Sequence, residues 1–212
     1  MSCVITIVRH GETEANVSGI IQGQLEWDLN DLGKAQAAAV AKALANETFD
    51  VAYSSDLSRA LHTAQAIAGY HPKLEIHTTA ALREWNFGDW QGRAIITLVN
   101  EMRMLRDEQQ CVRPPNGESW RDFQERVSSF MNEIAQKHAG QHVLVVTHGG
   151  ALQRIFRMLF KPEAISRLPM SINASISRLE WRSEAPIGWR LLAWNETAHL
   201  AGIGHHGHIP PI

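Results

Sequence analysis

The stretch CVITIVRHGE, Cys3 to Glu12, runs a β-branched apolar segment directly into Arg9, His10 and Gly11. Its length and its valine and isoleucine content read as a buried strand rather than a helix. In open α/β sheets ligands bind beyond the carboxyl ends of the strands, so a guanidinium and an imidazole at that end are candidate site residues. The pattern returns at HVLVVTHGG, His142 to Gly150, a second apolar strand ending in histidine and glycine. A helix through Leu152, Ile155, Phe156 and Leu159 follows and stops at Pro162.

Between the two strand-histidine units the chain alternates helical and extended segments. Residues Glu12 to Leu29 show no sustained period and read as a loop, long enough to suggest a functional one. Asn30 or Asp31 can cap the helix-forming segment Ala35 to Ala45. FDVAYS, Phe49 to Ser54, reads as a strand, with Ser55 and Asp56 as turn and N-cap residues for LSRALHTAQAIA, which turns Leu57, Leu61, Ala64 and Ile67 inward. Arg59 then falls in the first turn of that helix, where a cation opposes the helix dipole unless an anion binds there too. Leu74 to Thr79 alternates as a strand does and leads to Glu84 and the ordered loop WNFGDWQG. Arg93 to Gln110 is helical in pattern and is broken by Pro114-Pro115-Asn116-Gly117; Ser119 to His138 carries a core-facing stripe of Phe123, Val127, Phe130, Met131 and Ile134. ISRLEW and WRLLAW form a hairpin.

This order predicts an α/β fold of three α/β/α layers, with a mostly parallel central sheet carrying an antiparallel strand and a helical insertion covering the site. Residues 1–212 are expected to form one domain, with 93–115 as the cover and 202–212 as a flexible tail. The histidines at 205, 206 and 208 belong to that tail and are read as solvated, not as metal ligands. A formal charge of −2 on 212 residues excludes nucleic-acid or membrane binding by bulk electrostatics, so any anion site is local. Cys3 and Cys111 form neither a disulfide framework nor a metal spacing and read as packing residues. With no signal-peptide pattern and no membrane-spanning run, the expected location is the cytoplasm. Trp27, Trp85 and Trp90 lie near site blocks, within reach of a substrate by sequence proximity.

Arg9, His10, Arg59, Glu84 and His148 each fall at or just past the end of a predicted strand, so one rim of the sheet can collect them. Two arginines, which hold their charge, suit a dianionic phosphate bidentately. Two histidines supply a nucleophile and a partner, and the carboxyl group supplies a proton. Phosphoryl transfer through a phosphohistidine fits that set.

RHGETEAN, IQGQ, SSDLSRALHTA, LREWNFGDWQG, PNGES and VTHGG also resemble, in order and rough spacing, the histidine phosphatase superfamily, the branch holding cofactor-dependent phosphoglycerate mutases and bacterial broad-specificity phosphatases. The resemblance implies that His10 is the phosphorylated nucleophile and Glu84 the general acid and base. It implies that Arg9, Arg59 and His148 form the phosphate pocket, lined also by Asn16, Gln22 and Gly23, with Gly149 offering a backbone amide. A nucleophilic His10 needs its second nitrogen to donate to a nearby carbonyl. His148, if protonated, would share the phosphate's charge with the arginines. No metal and no cofactor are implied, and the expected partner is a small phosphomonoester; a homodimer is left open.

The mutases follow the glutamate with a different glycine-rich block and an insertion bearing an adjacent arginine pair for a carboxylate. Here NFGDWQG resembles the phosphatases, although Gln91 and Asn30 depart from their usual glutamate and threonine. The segment Arg93 to Cys111 has no adjacent arginine pair; beyond Arg93 its arginines stand singly, at 103 and 106. The expected outcome is hydrolysis of small phosphorylated metabolites; 2,3-bisphosphoglycerate-dependent mutase activity and a non-catalytic phosphate-binding module are the alternatives.

Overall fold

The computed structural model describes residues 1–104, 112–159, 170–183 and 188–204, with the side chains of 99, 100 and 102–104 also outside that description. A six-stranded sheet carries the fold, in the order β3-β2-β4-β1-β5-β6. The strands are β1 (Ser2–Arg9), β2 (Val51–Ser55), β3 (Ile76–Thr79), β4 (His142–Thr147), β5 (Ile176–Arg182) and β6 (Trp189–Glu196). The first four run parallel; β5 lies antiparallel to β1, and β6 is antiparallel to β5.

Alternation along the central strands builds one core on each face. Ile5, Ile7, Val143 and Val145 point to one side, where they meet α5 (Trp120–Lys137) and α6 (Gly149–Arg157) through residues such as Phe123, Val127, Met131 and Ile155. Val8, Leu144 and Val146 point to the other, against Val40 and Leu44 of α2 (Asp31–Leu44) and Ala60, Ala64 and Ile67 of α3 (Ser58–Ala68). Strands buried on both faces explain why the opening segments read as unbroken apolar runs. Each fully buried large aliphatic chain contributes on the order of 1.5–3 kcal/mol.

Helix starts follow their caps. Asn30 accepts from the Gly33 amide at 2.7 Å, and Ser119 forms a reciprocal capping box with Asp122. The expected cap of α3 is corrected: its N-cap is Leu57, without a side-chain hydrogen bond, because Asp56 is held bidentately by Arg83 at 2.6 and 2.7 Å and Ser55 faces the site. The segment read as a loop from Glu12 holds a four-residue helix, α1 (Glu14–Val17), capped by Thr13 and Asn16. One turn is too short to register as a period. The helical reading of 93–110 holds for α4 (Ile95–Met104), anchored by Ile95 N donating to Gly19 O; residues 105–111, Cys111 among them, lie outside the described part. So do the Pro162 stop, most of the hairpin turn and the three tail histidines.

The parallel strands all end at one rim, where Arg9 is in register with Thr147 and Ser55 with Thr79. The chain leaves β1 toward α2 on one face and β4 toward α6 on the other, so a crevice opens between their ends.

Candidate active site

His10 continues the ladder one residue past β1, its amide donating to Thr147 O at 2.9 Å. Its carbonyl accepts from the Ala174 amide and from Asn173 Nδ2, both at 3.1 Å. Both come from the segment before β5, where Ala174 holds φ of 56°, so the backbone of His10 is clamped from two sides. Gly11 follows because a Cβ there would lie 2.4 Å from Gly33 O.

The His10 ring is buried, with Nδ1 2.6 Å from Gly11 O. A carbonyl can only accept, so Nδ1 carries the hydrogen and Nε2 keeps its lone pair. Burial, and then the charges of Arg59 and Arg9, hold the ring well below the usual imidazole range, so it is neutral at physiological pH.

The two arginines are held by carbonyls rather than carboxylates. Arg59, 1% exposed, donates to Leu25 O at 3.0 Å and Gly23 O at 2.8 Å; Arg9 donates to Ser171 O. A carbonyl orients a guanidinium without cancelling its charge. In each side chain Nε is buried with no partner, a donor left for an incoming acceptor. Burial lowers both to about 10, which leaves them cationic at neutral pH.

His148 lies against His10, ring centroids 5.1 Å apart, and its Nε2 is 2.8 Å from Ser55 Oγ. Its Nδ1 is buried and unpartnered. The idea of a protonated His148 is corrected for the free protein: burial first, then Arg59, His10 and Arg9, push this ring well below the ordinary histidine range.

Glu84 reaches the same rim. Its Oε1 accepts from the Trp85 amide and Oε2 from the Gly150 amide, both at 2.9 Å. Gly150 is the second residue of α6, so the carboxyl group sits at that helix's N-terminus. A side chain at position 150 would occupy that place, its Cβ 2.1 Å from Glu84 Oε1. The Glu84 carbonyl accepts from Gln24 Nε2 at 3.1 Å and from Arg126 at 3.2 Å. Arg126 also donates to the carbonyls of Ala80, Ala81 and Arg83, tying the whole approach to Glu84 onto α5.

The structure thus brings Arg9, His10, Arg59, Glu84 and His148 to one crevice. Asn16 Oδ1 accepts from the Thr13 amide and from Asn173, which leaves the one Thr13 hydroxyl proton for Gln22 Oε1 at 3.0 Å. Their acceptor ends serve the loop, leaving the donor ends as the ones suited to a phosphate. Gly23 supplies its carbonyl to Arg59, and Gly149 leaves room for Arg9, whose Cζ would sit 3.2 Å from an added Cβ. Trp85 and Trp90 are buried in the core, which removes them from the substrate-contact candidates. Ser55, Asn173 and Arg126 escaped the sequence reading, since their partners lie tens of residues away and no local pattern marks them.

Residues 5–197 match the model of the histidine phosphatase superfamily, branch 1. The chain belongs to this superfamily. A metal-independent phosphoserine phosphatase from Arabidopsis thaliana is 34% identical over 94% of this chain and 84% of its own length. Phosphoglycerate mutase-like protein 4 of the same plant is 35% identical, over 94% and 88%. Among solved structures, the mycobacterial glucosyl-3-phosphoglycerate phosphatase superposes with a TM-score of 0.80 at 29% identity, covering 93% of this chain and all of that one. Membership in the histidine phosphatase superfamily accounts for the strand order and for both strand-histidine units. Among the described residues no helix is long and apolar enough to cross a membrane.

Proposed function

We propose that this chain is a metal-independent phosphomonoester hydrolase that works through a phosphohistidine on His10, acting on small phosphorylated metabolites as the names of its phosphatase relatives suggest. The observation that carries the reading is the Nδ1 to Gly11 O hydrogen bond, which leaves the lone pair on Nε2 of a ring set beside two guanidiniums, each with an unpartnered buried Nε.

In the first step the Nε2 lone pair bonds to phosphorus while the ester P–O bond breaks. Glu84, protonated, gives its proton to the departing oxygen and releases the alcohol. In the second step the Glu84 carboxylate takes a proton from water, the water oxygen bonds to phosphorus, and the P–Nε2 bond breaks. The products are inorganic phosphate and neutral His10. Arg9 and Arg59 stabilise the charge on the equatorial oxygens, where a single aligned donor is typically worth ~10²–10³ in rate. With Ser55 Oγ donating to Nε2, the ring hydrogen of His148 sits on Nδ1, a donor for the phosphate.

Incubation with p-nitrophenyl phosphate in chelator, followed by rapid quenching and mapping of acid-labile phosphate, tests this. Hydrolysis that persists in chelator, with phosphate on His10 and none in His10→Ala, is expected. Phosphate found on another residue, or turnover retained by His10→Ala, would overturn the assignment. Conversion of 3-phosphoglycerate to 2-phosphoglycerate in the presence of 2,3-bisphosphoglycerate would make the chain a mutase instead.

A further inference from the structure

The face of α6 that receives Glu84 does not end at Gly150. Arg154 and Arg157 follow at the fourth and seventh positions after it and so share its face of the helix. Side chains on a helix lean toward its N-terminus, which carries both guanidiniums up toward the rim that holds Glu84. Trp120, the first residue of α5, receives them there: the Arg154 Cζ lies 4.6 Å and the Arg157 Cζ 5.3 Å from its ring centre. Trp120 in turn lies edge-on to Trp85, the neighbour of Glu84, at 5.6 Å.

Among the described residues neither cation is hydrogen-bonded to Glu84, His10 or the phosphate-pocket side chains, although the charge of Glu84 reaches Arg154. Arg154 is 5% exposed and its Nε is buried with no partner. Among the described residues neither arginine forms an ion pair, whereas Arg83, Arg93, Arg113, Arg126, Arg178 and Arg182 each do. Two like charges on one aromatic ring repel, and burial adds to the cost; Arg154 is lowered to about 10 by burial and then by Arg157, with the charge of Glu84 acting the other way. The ring's quadrupole offsets only part of this. Arg157 is exposed and Trp120 half-exposed, so the pair is open to solvent above a buried base.

We infer that Arg154 and Arg157, stacked on Trp120, form a second anion subsite that binds a carboxylate carried by the alcohol half of the phosphomonoester. The position follows from the order of groups: the phosphate cluster lies on one side of Glu84, and Glu84 must touch the leaving oxygen. The rest of the alcohol therefore extends past Glu84, toward the arginine face of α6. The mutase arginine pair occupies the segment after the glutamate, so this site uses a different element. The inference rests on the hydrolase reading for the direction in which the alcohol lies.

The test compares 3-phosphoglycerate with glycerol 3-phosphate, which carries a hydroxymethyl group in place of the carboxylate. The wild-type chain is expected to prefer 3-phosphoglycerate in kcat/KM and in calorimetric Kd. Arg157→Gln, at an exposed position, and Arg154→Gln should each reduce that preference ~10- to 100-fold, in line with a lost charge-assisted hydrogen bond. Glycerol 3-phosphate and p-nitrophenyl phosphate should change less than about twofold. Arg154→Lys, which keeps charge and bulk, should recover part of the loss. Equal losses on both esters, or a wild type without preference in both measurements, would overturn the subsite. If neither ester is hydrolysed by wild type, the hydrolase reading fails. The calorimetric preference and its loss in the variants would still decide the subsite.

Discussion

Gly150→Ala isolates the placement of Glu84 from everything else in the crevice. The new Cβ would begin 2.1 Å from Glu84 Oε1, against an ordinary contact of at least 3.4 Å, so the carboxylate must retreat by more than an ångström. That displacement also breaks the 2.9 Å bond from the residue 150 amide to Oε2. Misplacing a reacting group by about 1 Å costs on the order of 10²-fold in rate. Stability should hardly suffer: the group that moves is the end of a flexible side chain, position 150 is helical, and alanine improves a helix by up to ~1 kcal/mol over glycine. The variant should therefore melt at or slightly above the wild-type temperature while kcat for an alkyl phosphate falls ~100-fold. For p-nitrophenyl phosphate, whose leaving group needs little protonation, the fall should be smaller. Competitive inhibition by inorganic phosphate should stay within a few-fold, since Arg9, Arg59 and His148 are untouched. A kcat for alkyl phosphates near wild type would refute the role given to Glu84, and a large loss of phosphate affinity would mean the substitution disturbs the cation cluster.

Two more predictions follow from the histidines. Both His10 and His148 are held below their unfolded value, so as pH falls through about 6.5 the unfolded chain takes up protons that the folded one refuses. Stability should drop from pH 7 toward pH 5, by up to ~1.4 kcal/mol per pH unit for each histidine. Denaturant midpoints measured across that range should show the slope, and His148→Asn should remove one proton's worth of it; an unchanged slope in that variant contradicts a buried neutral His148. Ser55→Ala deprives His148 Nε2 of its hydrogen-bond partner among the described residues and should lower kcat/KM by about 10-fold, matching the ~1–3 kcal/mol of an orphaned buried polar atom. Wild-type kinetics in Ser55→Ala would show that the hydroxyl does not orient the ring.

The sequence by itself determined the sheet, the two strand-histidine units and the identities of the five charged or titratable groups at the rim. Each of these is written locally: β-branched runs name the strands, glycines and caps name their ends, and strand ends in a parallel sheet gather at one edge. Burial and partnership are products of the tertiary fold, and they decided the chemical state of the groups. On the sequence alone His148 could be protonated to face a phosphate, yet burial beside Arg59, His10 and Arg9 pushes its ring well below the usual histidine range in the free protein. Ser55 reads as a turn residue because its role depends on His148, 93 positions away. Asn173 and Arg126, which clamp His10 and the approach to Glu84, are ordinary polar residues until the segment before β5 and the helix α5 pack against the rim. The opening tripeptide Arg9-His10-Gly11 thus names the proposed nucleophile, while the packing of Gly11 against Gly33 places the carbonyl that holds the His10 Nδ1 hydrogen.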